Sequence, residues 1–184
     1  MAFLSLYSFS VSKSPSSRIA IYGWIEFQPK LHFFAWEAAW GKVLTLDRLQ
    51  RRGWQFSNCC FLCGCEEETI NHILIHCTIV RVLWDVILGL FGIQWTFSES
   101  VKEVLFSWKG SFVGKKRKKL WKSIPLYIFQ TIWKERNRLA FRRGVLTVQK
   151  LKTLFVFNVW GWVKLYIGVE PISLIGFLEW LTST

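Results

Sequence analysis

Cys60-Phe61-Leu62-Cys63, followed by eight residues to His72 and four more to Cys77, is the spacing of a four-ligand metal site. Zinc takes thiolate sulfur and imidazole nitrogen in a tetrahedron, and a two-residue gap lets one tight turn aim two thiolates at a single ion. With four protein ligands, no coordination position is left for an activated water, so such an ion braces the fold and does no chemistry. The competing reading is a buried, cysteine-bearing core that happens to hold a histidine, since free Cys is among the most buried residue types. Neighbouring residues widen the ligand choice: Cys59 to Cys63 is also an admissible gap, and Cys65 and His76 lie close by. The preferred set is Cys60, Cys63, His72 and Cys77, with Zn2+ as cofactor.

The helical periods around this stretch predict a mainly α fold, a small helical domain built around one structural zinc site. From Lys30, the residues Phe33, Phe34, Trp36, Ala39, Trp40 and Val43 recur at three- and four-residue steps, with Pro29 in the first turn. Thr45 reads as a cap, Asp47 lies near the positive end of the next helix, and Gly53 ends that helix after Arg51 and Arg52. His72 and Cys77 are five steps apart, which turns an ideal α-helix by roughly 500° and leaves the two side chains about 140° apart. A short helical turn carrying His72, a break at Ile75–Cys77 and a new helix capped by Thr78 and running toward Gly92 are therefore expected, with Val80, Leu83, Trp84, Ile87, Leu88 and Phe91 inward. Ser100-Val101-Lys102-Glu103 has the spacing of a capping box and should start a helix bearing Val104, Leu105 and Trp108. Gly110 to Gly114 should break it, Pro125 should open the main helix, which ends near Phe141, and Thr147 should cap the last one. Ile128, Ile132 and Leu139 are expected inward on the main helix, and Val148, Leu151, Leu154, Phe155, Trp162 and Leu165 on the last.

A formal charge of +12 on 184 residues points to a polyanionic partner, because clustered Lys and Arg release counterions from phosphates. The cations fall in two blocks: Lys115, Lys116, Arg117, Lys118 and Lys119, then Arg136, Arg138, Arg142 and Arg143 beside Lys134. The first block reads as a solvated face, a nuclear-import signal or a phosphate-contacting patch. Trp108, Phe112 and Trp121 could stack on unpaired bases, although aromatics at helical spacing are more often core. Catalysis has little to work with. Two-metal sites need converging carboxylates, and the chain has only two aspartates, Asp47 and Asp85. Glu66, Glu67 and Glu68 adjoin one another in a loop, where they balance basic neighbours or orient a zinc ligand.

Five cysteines, an odd number, with a Cys-x-x-Cys beside a His, favour metal binding in a reducing compartment, so an intracellular and preferably nuclear location is expected. Met1 to Val11 is apolar, but no basic stretch precedes it and no small-residue cleavage site follows. Lys152, Asn158 and Lys164 interrupt the richest apolar stretch before it reaches the ~18 residues of a membrane span, so membrane association through Leu151 to Leu181 is a minor alternative.

The zinc spacing together with Trp24, Gln28-Pro29-Lys30-Leu31-His32-Phe33-Phe34-Ala35-Trp36, Leu44-Thr45-Leu46-Asp47-Arg48-Leu49, Arg51-Arg52-Gly53, Glu68 and Trp84 resembles the zinc-binding domain of plant LINE-type, non-LTR retrotransposon reverse transcriptases. Gly114-Lys115-Lys116-Arg117 and Trp133-Lys134-Glu135-Arg136-Asn137 with Phe141 look like the extended plant version, so that the resemblance runs over residues 22–165. It implies a zinc-binding domain at 22–110 and a basic helical extension at 111–168, and it leaves out both ends: an unassigned, Ser-rich lead-in at 1–21, expected to be poorly ordered, and an apolar tail at 169–184. It further implies part of a larger polyprotein: a non-catalytic module that binds RNA or DNA without sequence preference and assists a reverse transcriptase polypeptide. The alternative is a structural or protein-interaction zinc module whose basic faces dock on an acidic protein.

Overall fold

The computed structural model describes residues 29–108, 117–142, 144–166 and 173–182, which form helices and no strand. Helix α1 (Pro29–Ala39) starts where proline's missing N–H costs nothing. Its buried face is Leu31, Ala35 and Ala38, one step out of phase with the expected aromatic stripe, and Trp40 is half exposed. The two alanines let α1 pack closely on its neighbours, while Phe34 flanks the contact and meets Trp133 at 5.8 Å. Val43, beyond the helix end, is buried.

Helix α2 (Leu46–Gln50) is closed by Gly53 at φ +88°, a left-handed conformation that favours glycine. A π-helical turn (His72–His76) leads into α3 (Thr78–Leu90), which buries Val80, Leu83, Trp84, Ile87 and Leu88. Ser100 caps α4 (Val101–Ser107) as its spacing predicts, accepting the Glu103 N–H at 3.2 Å. Helix α6 (Val148–Tyr166) starts after Thr147, whose hydroxyl accepts the Lys150 N–H, and buries Leu151, Phe155, Val159, Trp162 and Val163. The apolar tail contributes α7 (Leu174–Thr182), a helix not anticipated from its composition, which inserts Phe177 into the core.

Helix α5 (Lys118–Phe141) corrects the expected start at Pro125. A proline inside a helix leaves the carbonyl four residues earlier without its N–H partner. Here that carbonyl, on Trp121, accepts the indole N–H of Trp108 at 2.8 Å, so the helix runs through the proline without an orphaned acceptor. The same two tryptophans stack at 4.2 Å with ring planes 9° apart, and Trp84 sits 5.4 Å from Trp108. Trp108 and Trp121 are buried, which corrects their candidacy as base-stacking residues; Phe112 lies outside the described residues.

Helix α5 is the hub, packed against α1, α6 and the π-helical turn. That contact between α5 and the turn brings the second half of the chain against the cysteine loop. Among the described residues no helix is long and apolar enough to cross a membrane.

Candidate metal centre

Cys60 and Cys63 lie on one tight turn, closed by the Gly64 N–H donating to the Cys60 carbonyl at 2.8 Å with Gly64 at φ +68°. A non-glycine residue would be strained there, so Gly64 helps hold the two sulfurs on one side of the turn. His72 and Cys77 are supplied by the π-helical turn. Its closing bond, from the Cys77 N–H to the His72 carbonyl at 2.7 Å, spans five residues. The wider turn brings together two side chains that an α-helix would hold apart. Cys77 then leaves the helical conformation (φ −55°, ψ 130°) and itself caps α3, accepting the N–H groups of Val80 and Arg81 at 2.9 Å; the expected cap, Thr78, is the first residue inside the helix.

The ligand atoms of Cys60, Cys63, His72 and Cys77 all lie within 4.8 Å of one another, and Cys63 Sγ is 3.4 Å from His72 Nε2. A tetrahedral zinc ion with three sulfurs and one nitrogen separates its ligand atoms by roughly 3.5–3.8 Å, so donor type and spacing both fit that ion. Cys60 and Cys77 are fully buried, His72 is nearly so, and Cys63 is at the rim. These four could hold a metal ion. The competing residues stand apart from this group: Cys59 and Cys65 are exposed, Cys65 donates to the Cys63 carbonyl, and His76 bonds the Glu99 carbonyl at 3.0 Å.

Neighbouring polar groups fix the ligands. The Glu66 carboxylate lies 3.2 Å from His72 Nδ1, which leaves Nε2 facing the sulfurs. The Glu66 carbonyl accepts the Cys60 N–H at 2.8 Å, and the Thr69 hydroxyl accepts the His72 N–H at 3.1 Å. Thr69 was legible in principle, since a threonine three residues before a helical position has cap spacing. The protonation states within the cluster are linked. Hydrogen bonding to Cys77, with burial, pushes the Cys60 thiol up to about 12. The same bond lowers Cys77. Hydrogen bonding to Cys60, helped by Cys63 and opposed by burial, raises His72 to about 9. Without metal the cluster thus keeps protons on Cys60 and His72 and gives thiolate character to Cys77, and a bound dication would have to displace those protons.

The basic blocks fare differently. Lys118 and Lys119 are exposed in the first turn of α5, Arg117 is half-buried with its guanidinium 5.9 Å from the Phe91 ring centre, and Arg142 is exposed. Lys115, Lys116 and Arg143 lie outside the described residues. Arg138 pairs with Glu135 at 2.8 Å. Arg136 corrects the expectation of a phosphate contact: only 4 % exposed, its Nε donates to both oxygens of the fully buried Glu68 at 3.1 and 3.0 Å, and its Nη2 bonds Oε1 as well. A guanidinium committed to a carboxylate and shut off from water is unavailable to nucleic acid.

Helical packing and a converged Cys3His group together define a small helical domain with a site for one zinc ion. Residues 3–84 match the family described as zinc-binding in reverse transcriptase, a stretch that contains all four ligands, and the match supports a reverse transcriptase zinc-binding domain. Neither the curated proteins nor the solved structures yield a match.

Proposed function

We propose that this chain is a zinc-holding, non-catalytic module of a plant LINE-type reverse transcriptase polyprotein that grips RNA or DNA through phosphate contacts with little sequence preference. The reading is carried by the closure of Cys60, Cys63, His72 and Cys77 on one point within the matched stretch. Four protein ligands leave the ion no open position, which makes its role structural. Asp47 is engaged by Thr45 and Arg51, which supports a module without its own catalytic carboxylates. The phosphate contacts fall to Lys115, Lys116, Arg117, Lys118 and Lys119, with Arg142 and Arg143 in support.

Metal analysis of the purified chain should give one zinc per chain, lost in Cys63→Ser and His72→Ala; full zinc retention in both variants would overturn the site. Each phosphate neutralised on duplex contributes about 0.9 to the slope of log affinity against log salt. Replacing Lys115–Lys119 by alanine should flatten that slope by several units while zinc content stays the same. The burial of Arg136 and the pairing of Arg138 favour a second reading, a structural or protein-interaction module, because they remove cations from the phosphate-facing set. An unchanged slope in the alanine variant would select it.

A further inference from the structure

Arg136 lies well beyond Trp84, where the family match ends, yet it touches both halves of the metal loop. Its guanidinium sits 4.9 Å from the ring centre of Phe61, between the first two ligands, and grips Glu68, between Cys63 and His72. Glu68 is tied further into the loop: its N–H donates to Asn58 Oδ1 at 2.8 Å, and its carboxylate accepts the Leu46 N–H at 3.0 Å. On either side of it stand the residues that hold the ligands, Glu66 at Cys60 and His72, and Thr69 at His72. A carboxylate buried this completely is costly without a cationic partner, and in the segment from Glu66 to Thr69 that partner is the guanidinium supplied by α5.

We propose that Arg136 and Glu68 are positioning residues of the metal centre, so that the zinc-holding unit extends past the matched stretch to include α5. The proposal rests on the zinc reading above for its metal-binding arm. Arg136→Lys keeps the charge but loses the planar fork and the flat contact with Phe61. Arg136→Met removes the charge, and pairing it with Glu68→Gln removes both charges together. Leu151→Ala, in the buried contact of α6, serves as a control that weakens the fold without touching the loop.

Two quantities are measured for each folded variant well below its melting temperature: zinc affinity, by competition with a chromophoric chelator, and backbone amide exchange across residues 58–76. Arg136→Lys and Arg136→Met should bind zinc about 10–100-fold more weakly, the range seen when the partners of metal ligands are removed. They should also exchange faster across that segment. Glu68→Gln/Arg136→Met should recover part of both losses, and Leu151→Ala should show neither. Parent-like zinc affinity in both Arg136 variants, or equal losses in Leu151→Ala, overturns the proposal. A parent chain that takes up no zinc overturns the zinc reading instead, and the exchange comparison then decides the positioning role alone.

Discussion

Three thiols and an imidazole within 4.8 Å of one another make the centre sensitive to protons as well as to metal. His72, raised to about 9, contributes stability that is fully present below its unfolded value near 6.5 and is lost as pH rises through 9. Cys77, lowered, contributes stability that is present above its unfolded value and is lost as pH falls through its folded one. Between about 6.5 and 9 His72 pulls stability down as pH rises, while Cys77 pushes it up from its lowered value to its unfolded one, so the chelator-treated chain should vary less with pH there than above that window. Above that window it should lose stability, because Cys60 keeps its proton only in the folded chain. Zinc needs deprotonated ligands, so the rise in melting temperature on adding zinc should grow steadily from pH 6 to pH 8. Thermal melts with and without chelator across that range check this; a zinc effect independent of pH would mean that the thiols are not its ligands. These four residues were legible because the signal is local: two short gaps and a histidine. Arg136 was misread because a charge among other charges looks solvated, and its partner lies 68 residues away.

Helix boundaries followed the sequence where a hydroxyl one turn away accepts an N–H of the helix it starts. Ser100 and Thr147 are of this kind. Pro125 is not, because what lets α5 pass through it is an indole from α4's far end. Trp108→Phe keeps most of the ring packing and removes the N–H that the buried Trp121 carbonyl accepts, at a cost of about 1–3 kcal/mol. Pro125→Ala restores the helix's own donor to that carbonyl, so the double variant should recover much of the loss. Chemical denaturation of the four chains measures the coupling, and strict additivity would mean that the two residues do not serve one carbonyl. The phase of α1 escaped the sequence for a related reason. Hydrophobicity marks Phe33, Phe34 and Trp36, whereas close packing on α4 and α5 selects the smaller Ala35 and Ala38. Ala38→Leu should accordingly destabilise the fold by about 1–3 kcal/mol, whereas the same change at the partly buried Ala39 should be milder.

Contacts that cross from the cysteine loop to α5 tie the described halves of the chain together, and zinc loss should therefore be felt far from the metal. Structural zinc sites supply on the order of 10 kcal/mol of apparent free energy, comparable with the stability of a whole domain. Held between the melting temperatures measured with and without zinc, the chain should on chelation expose Trp84, Trp108 and Trp121 together, seen as a concerted shift of tryptophan emission to the red; an emission spectrum unmoved by complete zinc removal there would show that the aromatic core stands without the metal. The general helical architecture was legible from periodicity, but the order of packing was not, because the partners of α5 come from both ends of the described chain. The pairing of Glu68 with Arg136 also has a consequence in time. A ribosome adding about 5–20 residues each second needs roughly 3–14 s to travel the 68 residues between them. For that interval every nascent copy carries its metal loop with the Glu68 carboxylate lacking the guanidinium that pairs with it in the folded chain. The loop is made early and completed late, and in between it is open to solvent, to stray oxidants and to whatever cations the cell offers.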